Sequence, residues 1–231
     1  MNTRPFRLAA LCSGGKDSLF ACWQAMQKEE VCCLVTVVPK NPESYMFHTP
    51  NVRRVRDQAT AAGLPLVEVE SAGEKETEIA DLRRGVERAV DEIGIEGVVT
   101  GAVRSVYQAS RIQRLCADLD LWCFNPLWQT DPRRYLHRLI SAGFSVCITG
   151  VAAEPLDATW LGRVIDTHTL RDLERIAEQY RISMIGEGGE YETYVLDAPF
   201  FSSRISITES AVEYRHGHGT FHILDAELVA K

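Results

Sequence analysis

The sequence predicts an α/β protein with a doubly wound, parallel sheet of five strands, followed by a smaller α+β domain. In the first half, short apolar runs alternate with longer stretches whose apolar residues recur at helical spacing, the order that gives parallel strands joined by crossover helices. After residue 127 this alternation stops, and the last third has short apolar segments separated by Pro, Ser and Gly, as in β-hairpins. We therefore predict two domains, residues 1–127 and residues 128–231.

The elements of the first domain follow from apolar periodicity. A short apolar run predicts a first strand at 8–12, and a continuous β-branched run at 32–38 predicts a second strand buried on both faces. Apolar residues at helical spacing between them predict a connecting helix. The same reasoning places further strands at 66–69, 98–100 and 121–124, and further helices from Val52 to near Gly63, over 79–93 and over 106–119.

The second domain begins with a helix whose start is marked in the sequence. Asp131 is followed by Pro132, which is an N-cap residue with proline at the first helical position. A strand at 146–151 and a helix around 173–177 come next. Short hairpin strands are predicted from Tyr194 onward, with a hairpin tip at Gly217 and Gly219.

Composition narrows the function classes. The 231 residues are 45% apolar and 25% charged, as in an ordinary globular protein. The formal net charge of −7 gives no general attraction to nucleic acid, because phosphate binding is driven by an excess of Lys and Arg. No stretch approaches the roughly 20 apolar residues of a membrane span, and the seven cysteines form no C-x-x-C pair. We expect reduced thiols, a cytoplasmic location, and neither a nucleic-acid nor a membrane partner.

A glycine-rich segment joins the first predicted strand to the first predicted helix. Glycines allow backbone N–H groups to approach an anion at the positive end of a helix, and a lysine in the segment adds a full charge. The spacing is not that of a Walker A loop. The segment predicts a phosphate-binding loop, and the alternative is a glycine-rich turn between a strand and a helix. It reads Ser13-Gly14-Gly15-Lys16-Asp17-Ser18.

A second candidate segment leaves the fourth predicted strand and enters a helix, from Thr100 to Arg111. Ligands of open α/β sheets collect at the carboxyl ends of the strands. Ser105, Gln108 and Arg111 are three residues apart, so a helix would place them on one face, near the α phosphate of a bound nucleotide. A solvated polar helix face is the alternative interpretation.

A third segment, residues 186–193, packs three carboxylates and three glycines close together. Clustered carboxylates can bind an ammonium ion, accept its proton or hold Mg²⁺, and glycines bring the backbone close to a ligand. The carboxylates belong to Glu187, Glu190 and Glu192. A surface hairpin loop is the alternative interpretation of this segment.

The first of these segments resembles the S-G-G-x-D-S signature of the PP-loop ATP pyrophosphatases, which have a Rossmann-like sheet. The resemblance implies that Lys16 and the loop amides hold pyrophosphate, and that Ser13 and Ser18 donate to phosphate oxygens. It further implies that Asp17 helps to bind Mg²⁺ and that residues 1–127 form the ATP-binding domain.

Several segments, taken in their order along the chain, resemble the diphthine ammonia ligase family. The resemblance runs over nearly the whole chain. It implies amidation of diphthine, a modified histidine of elongation factor 2, with ATP cleaved to AMP and pyrophosphate, and it implies that residues 128–231 bind the acceptor. The segments are 13–18, 45–49, 101–111, 125–128, and 186–193 followed by 195–199.

Carried over by position, the resemblance implies three sets of site residues. One departure from the expected pattern is that Arg104 and Val106 flank Ser105, where an acidic or polar neighbour is expected. The catalytic candidates are Lys16, Asp17, Glu187 and Glu190. ATP would be bound by Ser13, Gly14, Gly15, Lys16, Asp17, Ser18, Gly101, Ser105, Gln108 and Arg111. The acceptor and ammonia would meet Tyr45, His48, Tyr107, Glu187, Gly188, Gly189, Glu190 and Glu192.

The chemistry that we expect has two steps. A carboxylate of the acceptor attacks the α phosphate of ATP to form an acyl adenylate, and ammonia then displaces AMP, with Glu187, Glu190 or Glu192 taking the proton that ammonium must lose. ATP, Mg²⁺ and ammonium are therefore expected to bind, with elongation factor 2 as the partner. Two alternatives stay open, namely a PP-loop ligase for a small-molecule carboxylate or a tRNA base, and a non-catalytic ATP or AMP sensor. The sequence leaves the oligomeric state open, a homodimer included.

Overall fold

The computed structural model describes residues 4–39, 51–72 and 78–231 of the chain. The first half of the described chain forms a five-stranded sheet in the order β3-β2-β1-β4-β5, with every neighbouring pair parallel. This arrangement confirms the predicted fold class. The strands are β1 (Arg7–Leu11), β2 (Glu30–Pro39), β3 (Leu66–Ser71), β4 (Gly97–Val99) and β5 (Trp122–Phe124).

Four helices connect these strands, and the strand order reverses between β1 and β4. In open α/β sheets the carboxyl ends of the strands at such a reversal leave a crevice between the loops that follow them. The fold therefore places the segments after β1 and β4 side by side. The helices are α1 (Lys16–Ala25), α2 (Val55–Ala62), α3 (Glu78–Ile93) and α4 (Val106–Asp118).

The second half of the chain forms a four-stranded sheet in the order β7-β6-β9-β8, with antiparallel neighbours. Two helices accompany it, α5 (Pro132–Ser141) and α6 (Thr167–Tyr180). The strands are β6 (Ser145–Val151), β7 (Tyr191–Asp197), β8 (Ser203–Arg215) and β9 (His218–Ala230).

The last two strands depart from the expectation of short hairpin strands. β8 and β9 are 13 residues long each and pair from Ser203 to Arg215. The turn between them lies at His216 and Gly217, which both have positive φ, and this confirms the predicted tip. Gly217 lies in the turn and Gly219 lies just after it, so the hairpin consists of two long strands and one tight turn where several short strands were expected.

Local signals mark the helix ends as the sequence predicts. The Asp131 side chain accepts a hydrogen bond from the Arg134 amide at the start of α5, with Pro132 as its first residue. Gly63 ends α2 in the left-handed conformation, at φ 65°, and its amide donates to Thr60. The start of α5 and the end of α2 therefore carry the residue types that are preferred at those positions of a helix.

A shared hydrophobic core joins the two sheets. One cluster of buried residues includes Leu19 and Phe20 of α1, Tyr135 of α5, and Tyr194 and Val195 of β7. A second cluster lies on the other face of the first sheet, beneath α3 and α4. Because one core includes residues from both halves, the division at residue 127 stays a prediction. Across the described ranges, no helix combines the length and apolar character needed to cross a membrane.

Candidate active site

A cavity of about 340 Å³ opens at the carboxyl ends of β1, β2 and β4. Part of its wall is apolar and comes from the strands and from α3 and α4, whereas another part is polar and comes from the loops. Such a wall suits a ligand with one flat apolar part and one anionic part. The apolar wall residues are Leu11, Val35, Val37, Val52, Leu82 and Ile112, and the polar ones include Ser13, Asp17, Ser18, Gln108, Glu187 and Glu192.

The loop between β1 and α1 is held in shape by residues far along the chain. Gly14 has φ 86°, a left-handed conformation that glycine adopts without strain. Its carbonyl accepts from the Val195 amide at 3.0 Å and from the Gln58 side-chain amide at 2.9 Å. Gln58 also donates to the Val195 carbonyl at 2.9 Å. The predicted phosphate-binding loop is therefore braced from β7 of the second sheet.

Lys16 is almost fully buried, at 3% exposure. Its Nζ donates to the Ile185 carbonyl at 2.6 Å and to Asp17 Oδ2 at 3.1 Å, and its backbone amide donates to Thr193 Oγ1 at 3.1 Å. Burial alone would lower the pKa of Lys16, but the negative charges of Asp17 and its neighbours raise that pKa above its usual value. The lysine is therefore charged and ties the loop to the segment before β7.

Asp17 stands at the first turn of α1 and lines the cavity. Its Oδ1 accepts from the Tyr135 hydroxyl at 2.7 Å, and its Oδ2 accepts from Lys16. Gly101 packs against the same turn so closely that a Cβ there would lie 2.6 Å from the Asp17 carbonyl carbon. The position of the carboxylate is thus set by α5, by Lys16 and by the exit of β4.

Two of the three clustered glutamates are engaged by backbone amides. Glu190 accepts from the amides of Ser183 at 2.7 Å and Gly188 at 2.8 Å, so it closes its own loop. Glu187 accepts from the amides of Arg104 at 3.1 Å and Ser105 at 2.7 Å, so it joins this loop to the start of α4. Both carboxylates have a structural partner in the protein.

Glu192 differs from the other two glutamates. It lies in β7 between the buried Tyr191 and Thr193, and it lines the cavity. Burial raises the pKa of Glu192 to about 7, although Lys16 nearby lowers it in part. Within the described part of the chain, no donor is hydrogen-bonded to its carboxylate. A carboxylate with a pKa near neutral can accept a proton from a ligand and release it again.

Only some of the residues that were predicted to share one face of α4 line the cavity. Ser105 caps α4 by accepting from the Gln108 amide at 3.3 Å. Gln108 lines the cavity. The Arg111 guanidinium lies over the Tyr107 ring, 3.4 Å from its centroid, which is a cation–π contact. One of the three spaced residues therefore reaches the cavity directly.

The structure brings the predicted site residues together at one edge of the first sheet, in two groups. Tyr45 and His48 lie outside the described residues. Those that line the cavity are Ser13, Asp17, Ser18, Gly101, Gln108, Glu187, Gly189 and Glu192. Those that do not line it are Gly14, Gly15, Lys16, Ser105, Tyr107, Arg111, Gly188 and Glu190. What each residue binds stays a prediction.

Sequence reasoning missed two groups of residues. The apolar wall from β2, α3 and α4 had been predicted only as core. Gln58 and Tyr135 were not considered, although both hold the loop or its aspartate. A signal for Gln58 existed, because it shares the apolar face of α2 with Val55 and is fully buried. Tyr135 lies 118 residues from its partner and carries no local signal.

Comparison with protein families gives matches over both halves of the chain. A model described as the diphthamide synthase N-terminal domain matches residues 6–122. A model described as the diphthamide synthase C-terminal domain matches residues 131–229.

Named relatives match over most of their length. A diphthine–ammonia ligase from Danio rerio is 32% identical over 227 residues, which are 89% of this chain and 89% of the relative. A diphthine–ammonia ligase from Homo sapiens is 30% identical over 226 residues, which are 89% of this chain and 84% of the relative.

Solved structures give weaker likenesses. A structure described as a predicted subunit of tRNA methyltransferase from Methanocaldococcus jannaschii has 18% identity and a TM-score of 0.45, with 84% of this chain and 98% of that chain covered. A 4-thiouridine synthetase in complex with RNA and ATP has 16% identity and a TM-score of 0.46, with 83% of this chain and 55% of that chain covered.

Proposed function

Because the chain belongs to the diphthamide synthase family, we propose that it uses ATP to amidate the carboxylate of diphthine on elongation factor 2. The family expected from the motifs is thereby confirmed. One observation of the site carries the proposal. Asp17 and Ser18 of the phosphate-binding loop and the carboxylate of Glu192 line the same cavity. A nucleotide held by the loop would therefore lie beside a group that can take a proton from ammonium.

ATP fits the two parts of the cavity wall. We place the adenine against the apolar residues of β2, α3 and α4, and the phosphates at the loop that begins α1, where backbone N–H groups and the helix dipole favour anions. Lys16 supports this loop through the Ile185 carbonyl and Thr193. The ATP site and the acid-lined segment before β7 therefore form one unit.

The donor set fits Mg²⁺ in the manner usual for nucleotide sites. Mg²⁺ is commonly held by one or two carboxylates together with substrate phosphates. In the described residues there is no cluster of three His, Cys, Asp or Glu side chains that would hold a metal alone. We propose that Asp17, whose oxygens are fixed by Tyr135 and Lys16, would hold the ion together with ATP. The ion would supply neutralisation of the departing pyrophosphate.

The reaction that we propose has two transfers. A carboxylate oxygen of the acceptor forms a bond to the α phosphorus, and the bond from that phosphorus to pyrophosphate breaks. Ammonia then attacks the acyl carbon of the adenylate and AMP leaves. Adenylation is needed because a free carboxylate would have to expel an oxide. The phosphate-binding loop holds the outer phosphates while the α phosphate is attacked, and Lys16, which does not line the cavity, keeps that loop in shape.

We assign the proton transfer to Glu192. Ammonium must lose a proton before its nitrogen can attack, and a pKa of about 7 suits that exchange at neutral pH. Glu187 and Glu190, which the family resemblance implied as catalytic candidates, accept backbone amide hydrogens. They set the shape of the loop that carries the base.

The test is to incubate the protein with ATP, Mg²⁺, ammonium and elongation factor 2 that carries diphthine, and to separate the nucleotides. We expect AMP and pyrophosphate in amounts equal to the amide formed, which mass spectrometry of the acceptor measures. Unmodified elongation factor 2 is the matched control and is expected to give no AMP. Formation of ADP, or of AMP without an acceptor, would contradict the mechanism.

A further inference from the structure

A second cavity, of about 550 Å³, adjoins the first on the side of the second sheet. Its walls are the start of α5, the end of α6 and the segment that leads from α6 toward β7. Glu187 lines both cavities. The second cavity, here called the arginine groove, therefore leads from the surface to the wall of the proposed ATP site. Its charged residues are Arg104, Arg133, Glu174, Glu178, Arg181 and Glu187.

Some charged side chains of the arginine groove have partners within the protein, and others do not. Arg133 forms a two-fold ion pair with Glu174, at 2.7 and 2.9 Å, which holds α5 against α6. Glu187 is occupied by two backbone amides. The side chains of Arg104 and Arg181 are exposed, and neither makes a salt bridge with any residue that the structure describes. Two guanidinium groups are thus available to a partner, together with the exposed carboxylate of Glu178, which also makes no salt bridge with a described residue.

We propose that the arginine groove is the docking surface for the acceptor protein and receives an acidic segment next to the carboxylate to be amidated. The inference rests on the proposed function. ATP would fill the first cavity, and the arginine groove meets that cavity at Glu187, which lines both spaces and so marks a route for the acceptor side chain. Arg104, which departs from the expected sequence pattern, stands at this passage.

A protein segment fits the groove better than a nucleic acid does. A continuous row of nucleic-acid phosphates would have to pass the exposed carboxylate of Glu178, whereas a protein segment can place single carboxylates at Arg104 and Arg181 and an uncharged residue beside Glu178. Ile182 and Met184 add apolar wall, which suits side chains of a peptide. The chain carries a net charge of −7, so an acidic partner is attracted only where guanidinium groups are exposed. Arg104 and Arg181 provide such a place.

The test is the double variant Arg104→Gln/Arg181→Asn. Asparagine is chosen because Arg181 ends α6 in the left-handed conformation, at φ 56°, which asparagine tolerates. The matched control is Arg114→Gln/Arg171→Gln, which removes two exposed arginines of α4 and α6 outside the groove and gives the same net charge. We expect the groove variant to raise the KM for the acceptor protein roughly tenfold, with the KM for ATP and for ammonium unchanged. The control is expected to match the wild type.

Binding of the acceptor protein without ATP gives a second measurement that does not depend on turnover. A titration is expected to show the same loss of affinity in the groove variant, and a weaker salt dependence than in the wild type. Equal acceptor affinity in wild type and groove variant would overturn the proposal, as would competition by an RNA for the groove. If the wild type forms no AMP, the proposed function fails, and the titration alone then decides whether the groove binds the acceptor.

Discussion

Two glycine-rich loops border the candidate active site, and they use their charged residues in opposite ways. In the loop after β1, Lys16 turns inward and the carboxylate of Asp17 faces the cavity. In the segment before β7, the carboxylate of Glu190 accepts from backbone amides of its own loop, and the carboxylate of Glu192, the second residue of β7, faces the cavity. Each region therefore has one charged residue that holds the structure and one whose carboxylate lines the cavity.

The difference lies in how each inward charge is satisfied. Lys16 reaches out of its own loop to the carbonyl of Ile185, in the other one, and so links the two. The carboxylate of Glu190 accepts from Ser183 and Gly188 nearby, and so closes its loop on itself. Loss of Lys16 should disturb both loops, whereas loss of Glu190 should disturb one.

The largest effect is expected for Lys16→Met. The change removes the buried charge that ties the phosphate-binding loop to the segment before β7, and it leaves the Ile185 carbonyl without its donor. We expect AMP formation to fall by at least about 100-fold and the free energy of unfolding to fall by about 2 kcal/mol. Nucleotide separation and urea unfolding measure the two effects. Full activity in Lys16→Met would show that the loop does not bind the phosphates.

The next effect concerns Glu192→Gln, which keeps the size of the side chain and removes the base. We expect kcat to fall by roughly 100-fold. Because burial raises the pKa of Glu192 to about 7, the wild-type rate should rise with pH as this carboxyl loses its proton around pH 7. The rate of the variant should lack that rise. Initial rates at saturating ammonium from pH 5.5 to 8.5 measure it.

Glu190→Gln is the control for Glu192→Gln, since the two residues share one segment. Its amide oxygen can still accept one of the two backbone hydrogens that Glu190 holds. We expect this control to keep the rise in rate near pH 7 and to lose stability. The assignment of the base is wrong if Glu190→Gln loses that rise and Glu192→Gln keeps it.

A smaller effect is expected for Tyr135→Phe. The ring should stay packed against Phe20, whose centroid is 5.3 Å away, while Asp17 Oδ1 loses its donor. We expect the KM for ATP to rise roughly fivefold, for a loss of about 1 kcal/mol. Tyr194→Phe is the control, because its buried hydroxyl donates to the Arg54 carbonyl, away from Asp17. Equal ATP KM values in the two variants would show that Tyr135 serves stability alone.

Most of the fold was open to prediction because apolar periodicity reports local structure directly. The parallel strands and their helices came within a few residues of the observed bounds, and Asp131 marked the start of α5. The long hairpin was predicted as short strands, since β8 and β9 are largely exposed and contain no long continuous apolar run. Pairing between β8 and β9 stabilises the two long strands, and the spacing of apolar residues in the sequence does not reveal this pairing.

The sequence predicted which segments form the candidate site, but it did not predict which side chains of those segments face the cavity. The expected strand began at Tyr194, whereas β7 begins at Tyr191, so the alternation that turns Glu192 away from Tyr191 and Thr193 was not available. The backbone amides of Arg104 and Ser105, which are distant from Glu187 in sequence, donate to the Glu187 carboxylate. Contacts between distant segments decide which carboxylate is engaged and which is free.

The brace between Gly14 and β7 has a consequence for how the protein would respond to its nucleotide. The Val195 amide of β7 and the Gln58 side chain of α2 hold the Gly14 carbonyl, so the second sheet helps to set the shape of the loop. A ligand that binds the loop in this shape favours the whole assembled chain by mass action. Binding of the nucleotide should therefore stabilise the C-terminal half against unfolding, and unfolding of that half should weaken nucleotide binding.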